Sequence, residues 1–149
     1  MSEKTLLMIK PDAVQRSLIG RIISRIEEKG LKIIGLKMVQ LTEPKIDLLY
    51  DIHIGKSFYD ILKSFIISGP VVAIAIQGNN AVKVIRKLAG ITNSPEADPG
   101  TIRGDFGLDL TKNIVHASDA VDRAEYELNT LFKADEIVEY ELINEPWIR

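Results

Sequence analysis

Val71-Val72-Ala73-Ile74-Ala75-Ile76 is an unbroken apolar run, bounded by Ser68-Gly69-Pro70 before it and Gly78-Asn79-Asn80 after it. A β-branched run between turn residues reads as a central, buried strand. Outward from it the chain alternates. Ala81, Val84, Ile85 and Leu88 follow at helical spacing, and Gly90 stops that helix. Upstream, Phe58, Ile61, Leu62 and Phe65 mark a short helix over 58–66. Ile46, Leu49 and Tyr50 mark another, which Thr42 caps and Pro44 opens. Leu31 to Leu41 reads as a strand of imperfect alternation. Before it, Ile19, Ile22, Ile23 and Ile26 give a helix ended by Gly30. Thr5-Leu6-Leu7-Met8-Ile9 is the first strand, ended by Lys10-Pro11-Asp12. Downstream, residues 91–113 form a long loop without periodicity, and Ile114 to His116 is the last strand. Val121, Ala124, Leu128 and Leu131 stripe the last helix. The tail from Phe132 to Arg149, with Ile137, Val138, Tyr140 and Trp147, is expected to pack over the surface. The core order is βαββαβ. It predicts an α+β, ferredoxin-like sandwich, a four-stranded antiparallel sheet with helices on one face. A doubly wound parallel sheet is the alternative, but the first strand lacks a glycine-rich phosphate turn.

The 149 residues suit a single domain over 1–149 with a substantial core. Apolar residues at 46% and charged residues at 27% describe a globular chain rather than a disordered one. A net charge of −2 provides no overall basic field, so nucleic acid is not expected as the primary partner. Cysteine is absent, which excludes disulfides, thiolate catalysis and cysteine-held zinc. No apolar run approaches membrane-spanning length, and residues 1–10 lack a basic stretch followed by a long apolar one. The expectation is a cytoplasmic protein without a membrane partner.

Chemistry concentrates in Asn113-Ile114-Val115-His116-Ala117-Ser118-Asp119. Ser118-Asp119-Ala120-Val121-Asp122 reads as a helix start with Ser118 a natural cap, so His116 stands at a strand-to-helix junction that favours anions. A neutral imidazole there is a plausible nucleophile for phosphoryl transfer. The ordinary alternative is a packed or half-exposed histidine. The chain has neither G-x-x-x-x-G-K-[ST] nor G-x-G-x-x-G, so side-chain cations would have to hold any phosphates. Arg86, Arg103 and the strand-end Lys10 can do so, although each alone could be a solvated surface charge.

Four segments together go further. Lys10-Pro11-Asp12-Ala13-Val14-Gln15-Arg16, Ser68-Gly69-Pro70-Val71-Val72, Pro99-Gly100-Thr101-Ile102-Arg103-Gly104-Asp105-Phe106 and Asn113 to Asp119 resemble the signature segments of nucleoside diphosphate kinases. They occur in that family's order and span essentially the whole chain. The resemblance implies a ping-pong exchange in which His116 takes the terminal phosphate of a nucleoside triphosphate and passes it to a nucleoside diphosphate. It implies that Lys10, Arg86, Arg103 and Mg²⁺ balance the moving charge.

By the same resemblance Lys10 reaches the ribose hydroxyl and the phosphates, Tyr50 positions Lys10 and His116, and Phe58 stacks on the base beside Leu62. By helical spacing alone Phe58 reads as core. His53 and Thr92 match phosphate contacts, and Asn113 matches the ribose-hydroxyl binder. Ser118 and Glu127 match the pair that supports the imidazole, a contact that spacing alone does not give Glu127. Asp119 matches the acid that approaches Mg²⁺ through water. The family also implies a homo-oligomer, a hexamer more often than a tetramer. Ala117 and Ala13 stand where glycine is frequent, and the proline of Thr92-Asn93-Ser94-Pro95 falls one place late. Two other functions compete. A nucleotide-binding module without turnover would keep Phe58 and the arginines but not need His116. A structural or nucleic-acid-associated protein would bind DNA with steep salt dependence.

Overall fold

Residues 2–149 are described in the computed structural model of the protein. Four strands, β1 (Ser2–Ile9), β2 (Lys32–Val39), β3 (Val71–Asn79) and β4 (Val115–Ala117), form one sheet in the order β2-β3-β1-β4. Every pairing is antiparallel. Helices α1 (Pro11–Gln15) and α2 (Ile19–Glu28) join β1 to β2, and α3 (Glu43–Leu49) and α4 (Tyr59–Ile67) join β2 to β3. Helix α5 (Ala81–Ala89) follows β3, α6 (Ile102–Phe106) lies in the long loop, and α7 (Val121–Leu131) follows β4. This is the ferredoxin-like arrangement.

Helices cover both faces of the sheet, not one. Successive side chains of a strand point to opposite faces. Leu6 and Met8 of β1, with Val71, Ala73 and Ala75 of β3, therefore pack among Ile46, Leu49, Leu62, Ile66, Leu128 and Leu131 of α3, α4 and α7. Leu7 and Ile9, with Val72, Ile74 and Ile76, pack on the opposite side among Ile22, Ile26, Ala81 and Ile85 of α2 and α5. A strand apolar at every position cannot leave either face to water.

Other departures have local causes. Strand β1 begins at Ser2 because its polar start pairs with the end of β3, Lys4 opposite Gln77 and Ser2 opposite Asn79. The expected turn at 78–80 thus shrinks to Asn80, in left-handed conformation. The imperfect alternation of β2 is a register shift between Ile33 and Gly35. Gly35 sits where a Cβ would press on Phe132, Ala75 and Ile137. In α4 the buried stripe is Tyr59, Leu62 and Ile66, while Ile61 is 65% exposed. The loop over 91–113 contains α6, which Thr101 caps by accepting from the Gly104 amide at 2.9 Å. Helix α7 starts after Ala120 with no side-chain cap, so Ser118 is free for another partner. Val121 is exposed and Glu127 joins the buried stripe of α7. The tail packs in part. Val138 donates its amide to the Ile34 carbonyl and Tyr140 its hydroxyl to Ile33, whereas Trp147 stands 90% exposed. Among the described residues no helix is long and apolar enough to cross a membrane.

Candidate active site

Pairing places His116 opposite Met8, on the α3–α4–α7 side of the sheet, while Val115 and Ala117 enter the other core. The backbone just before it is unusual. Ile114 has φ +78°, a conformation β-branched residues rarely adopt. Three groups pin it: its amide donates to Asp12 Oδ2 at 3.1 Å, and its carbonyl accepts from the Lys10 amide at 2.9 Å. Arg103 completes the set, donating to the carbonyls of Gly90, Asn113 and Val115 at 2.7, 3.2 and 2.7 Å. Ala117 has no positive φ, so an alanine there is unstrained.

His116 meets α7 through Glu127. The imidazole Nε2 lies 2.8 Å from Glu127 Oε1, and Ser118 Oγ donates to the same oxygen at 2.5 Å. Burial disfavours a charge on Glu127, yet hydrogen bonds from His116, Ser118 and Arg123 prevail and hold its carboxyl below the usual range. An ionised acceptor at Nε2 keeps the proton on that nitrogen and leaves the Nδ1 lone pair free. The Tyr50 ring meets the imidazole edge-on, with centroids 5.2 Å apart.

A cleft of about 420 Å³ opens over this ring, within the size range of ligand pockets. Lys10, Tyr50, His53, Phe58, Leu62, Arg86, Thr92, Arg103, Asn113, Asp119 and Glu127 line it with His116. Ser118 stands outside it, behind Glu127. Lys10 stands at the end of β1 and lines the cleft, as expected, and is not the solvated surface charge of the ordinary alternative. It is buried and donates from Nζ to Asn113 Oδ1 at 2.7 Å, while Asn113 Nδ2 holds the Thr92 carbonyl at 3.0 Å. Burial and the Arg103 charge bring the Lys10 ammonium down to about 7, against the pull of Asp12. Burial and Arg86 likewise lower Arg103 to about 10. Arg103 is anchored through three of its five N–H groups, which leaves two for the cleft. Arg86 spends one contact on the Ala117 carbonyl at 3.2 Å.

The Tyr50 hydroxyl, expected to position Lys10, is buried and has no hydrogen-bond partner among the described residues, and burial together with Glu127 raises its pKa. Phe58 is not core but 46% exposed on the rim, with the His53 ring edge-on at 5.3 Å. Six further residues line the cleft that the sequence reading does not assign to it: Leu49, Ile52, Leu110, Thr111, Ala117 and Arg123. Leu110 carries no chemical signal, but Arg123 stands one helical turn before Glu127, a spacing at which side chains meet.

A cleft with His116 held against the ionised Glu127, with Lys10, Arg86 and Arg103 lining it and an exposed aromatic on its rim, suits a nucleotide's phosphates and base. The family model for nucleoside diphosphate kinase matches residues 3–137. The chain belongs to the nucleoside diphosphate kinase family. It is 51% identical over 146 residues to the nucleoside diphosphate kinase of Archaeoglobus fulgidus, covering 98% of this chain and 97% of that one. The enzyme of Sulfurisphaera tokodaii is 53% identical over 136 residues, 91% of this chain and 92% of the other. Among solved structures, a halophilic nucleoside diphosphate kinase from Halobacterium salinarum in complex with CDP superposes with a TM-score of 0.97 at 43% identity. It covers 100% of this chain and 99% of that one. The kinase is thus a nucleotide-binding phosphotransferase that carries the terminal phosphate of nucleoside triphosphates to nucleoside diphosphates.

Proposed function

We propose that this kinase works through a phosphohistidine at His116, formed on Nδ1. The observation that carries the reading is the Nε2 contact to the ionised Glu127, which leaves Nδ1 as the free lone pair of a ring that lines the cleft. That lone pair attacks the γ-phosphorus of a nucleoside triphosphate, and the bond to the bridging oxygen breaks with its electrons leaving on the diphosphate. The Nε2 proton stays on the ring, where Glu127 offsets the positive charge that bonding at Nδ1 creates. In the second half-reaction a terminal oxygen of another nucleoside diphosphate attacks, and the P–N electrons return to Nδ1.

Lys10, Arg86, Arg103, His53 and Thr92 would bind and orient the phosphates, Asn113 the ribose hydroxyl, and Phe58 with Leu62 the base. An aromatic face without a base-edge reader supports broad base tolerance. The CDP bound by the Halobacterium salinarum relative supports a nucleoside diphosphate as acceptor. Tyr50 excludes water from one edge of the imidazole, and Ser118 steadies Glu127.

Mg²⁺ fits this donor set. Among the described residues no group of three histidine, aspartate or glutamate side chains could cage a metal, whereas Asp119 is an exposed carboxylate on the cleft wall. A metal carried by the nucleotide's phosphates and met by Asp119 through water suits that arrangement, and it would neutralise phosphate charge during transfer. A single domain, a cytoplasmic location and a homo-oligomer, hexameric rather than tetrameric, complete the proposal. Initial rates at several fixed acceptor concentrations test it. Parallel double-reciprocal lines, and a loss of at least several thousand-fold in His116→Ala, are expected. Intersecting lines would sink the shuttle.

A further inference from the structure

Arg123 lines the cleft with 16% of its side chain exposed, and its guanidinium joins three elements. Its Nε donates to Glu127 Oε2 at 3.0 Å, one turn along α7. Its Nη2 donates to the Leu49 carbonyl at the end of α3, at 2.9 Å, and to Asp51 Oδ1 in the turn that follows, at 2.7 Å. The Tyr126 ring backs it, 4.5 Å from Cζ. An exposed pair one helical turn apart would mean little by itself, but these partners lie 72 and 74 residues away in sequence. Glu127 divides its oxygens, Oε1 to His116 and Ser118, Oε2 to Arg123. The Asp51 turn leads from Tyr50 to His53 and on to Phe58.

We infer that Arg123 is a positioning residue for phosphoryl transfer. It fixes the Glu127 carboxylate against His116 and ties it to the α3–α4 connection, so the phosphate acceptor and the base-stacking rim are held in one geometry. The inference rests on His116 being the acceptor. A planar guanidinium can serve both arms at once, whereas an ammonium can supply the charge but not the fork.

The two arms separate by experiment. The titratable groups facing Glu127 are His116 from β4, Tyr50 from the end of α3 and Arg123 from its own helix. Removing Arg123 deletes one of the influences that keep Glu127 ionised, so the acid limb of kcat moves to higher pH. Arg123→Ala is expected to lower kcat about 10- to 100-fold and to shift that limb. Arg123→Lys returns the limb towards wild type but leaves KM for nucleotides several-fold raised. Asp51→Asn raises KM with kcat and the limb close to wild type. Arg123→Ala with unchanged kcat, KM and acid limb, or with lowered thermal stability alone, overturns the inference. Should Arg123→Ala not fold, wild-type KM in both Arg123→Lys and Asp51→Asn overturns it equally. Single-turnover labelling with ATP distinguishes the two levels. A wild-type protein unlabelled at His116 removes the acceptor, whereas a labelled wild type matched in rate by Arg123→Ala removes only this role.

Discussion

Lys10 is a buried cation beside a second one, and its ammonium titrates near 7 rather than at the ordinary 10.5. Near neutrality the empty cleft therefore holds a mixture of ammonium and amine. Phosphates arriving there favour the charged form, so nucleotide binding should take up protons around and above pH 7. Binding calorimetry in buffers of different ionisation enthalpy checks this, and Lys10→Met should abolish the uptake. Stability carries the same signature. Between pH 7 and the ordinary lysine range the unfolded chain holds the extra proton, so stability attributable to this group rises with pH and is smallest below 7. A melting-temperature profile that rises over that window, and is flattened in Lys10→Met, is the expected result. Phe58 makes a different prediction. Stacking is worth about 1–3 kcal/mol per base, so Phe58→Ala should weaken purine and pyrimidine diphosphates alike by roughly 5- to 150-fold in a titration. A loss confined to one base class would argue for a base-edge contact instead.

At the scale of elements, the site depends on the short strand β4 and the bent turn before it. Asp12 accepts the Ile114 amide, and Arg103 fills three carbonyls around it. Asp12→Ala leaves a buried N–H unpaired and should cost about 1–3 kcal/mol in denaturant unfolding. Ala117→Gly should cost about 0.5–1 kcal/mol with little change in rate, because this strand position needs no left-handed backbone. A gain in stability would contradict that reading. Much of this was legible in the residues. The apolar run of β3, the helical stripes and the motif around His116 carry their own periodicity and chemistry. The covering of both sheet faces is legible too, because a strand apolar at every position needs helices on each side to keep water off it. Other features lie between distant segments. The reach of Arg123 to Leu49 and Asp51, and the burial of Lys10 under Asn113, depend on how α7 and the long loop settle on the sheet. No local spacing encodes them.

Across the whole molecule, the side chains of Leu36 and Met38 on edge strand β2 and of Ile143 and Trp147 in the tail remain exposed. Apolar surface on a strand edge and a terminal segment suits assembly. If the proposed hexamer forms, sedimentation equilibrium should return about six times the chain mass, and a monomer at micromolar concentration would contradict the proposed oligomer. Ping-pong transfer, however, asks only that one ring on one chain carry the phosphate between two nucleotides. The most direct measurement is intact mass after incubation with ATP and Mg²⁺. One acid-labile phosphoryl group should appear on the wild-type chain, vanish when a nucleoside diphosphate is added, and be absent from His116→Ala. Acid-labile phosphate retained by His116→Ala, or a wild type that turns over nucleotides without ever gaining the group, would contradict the account.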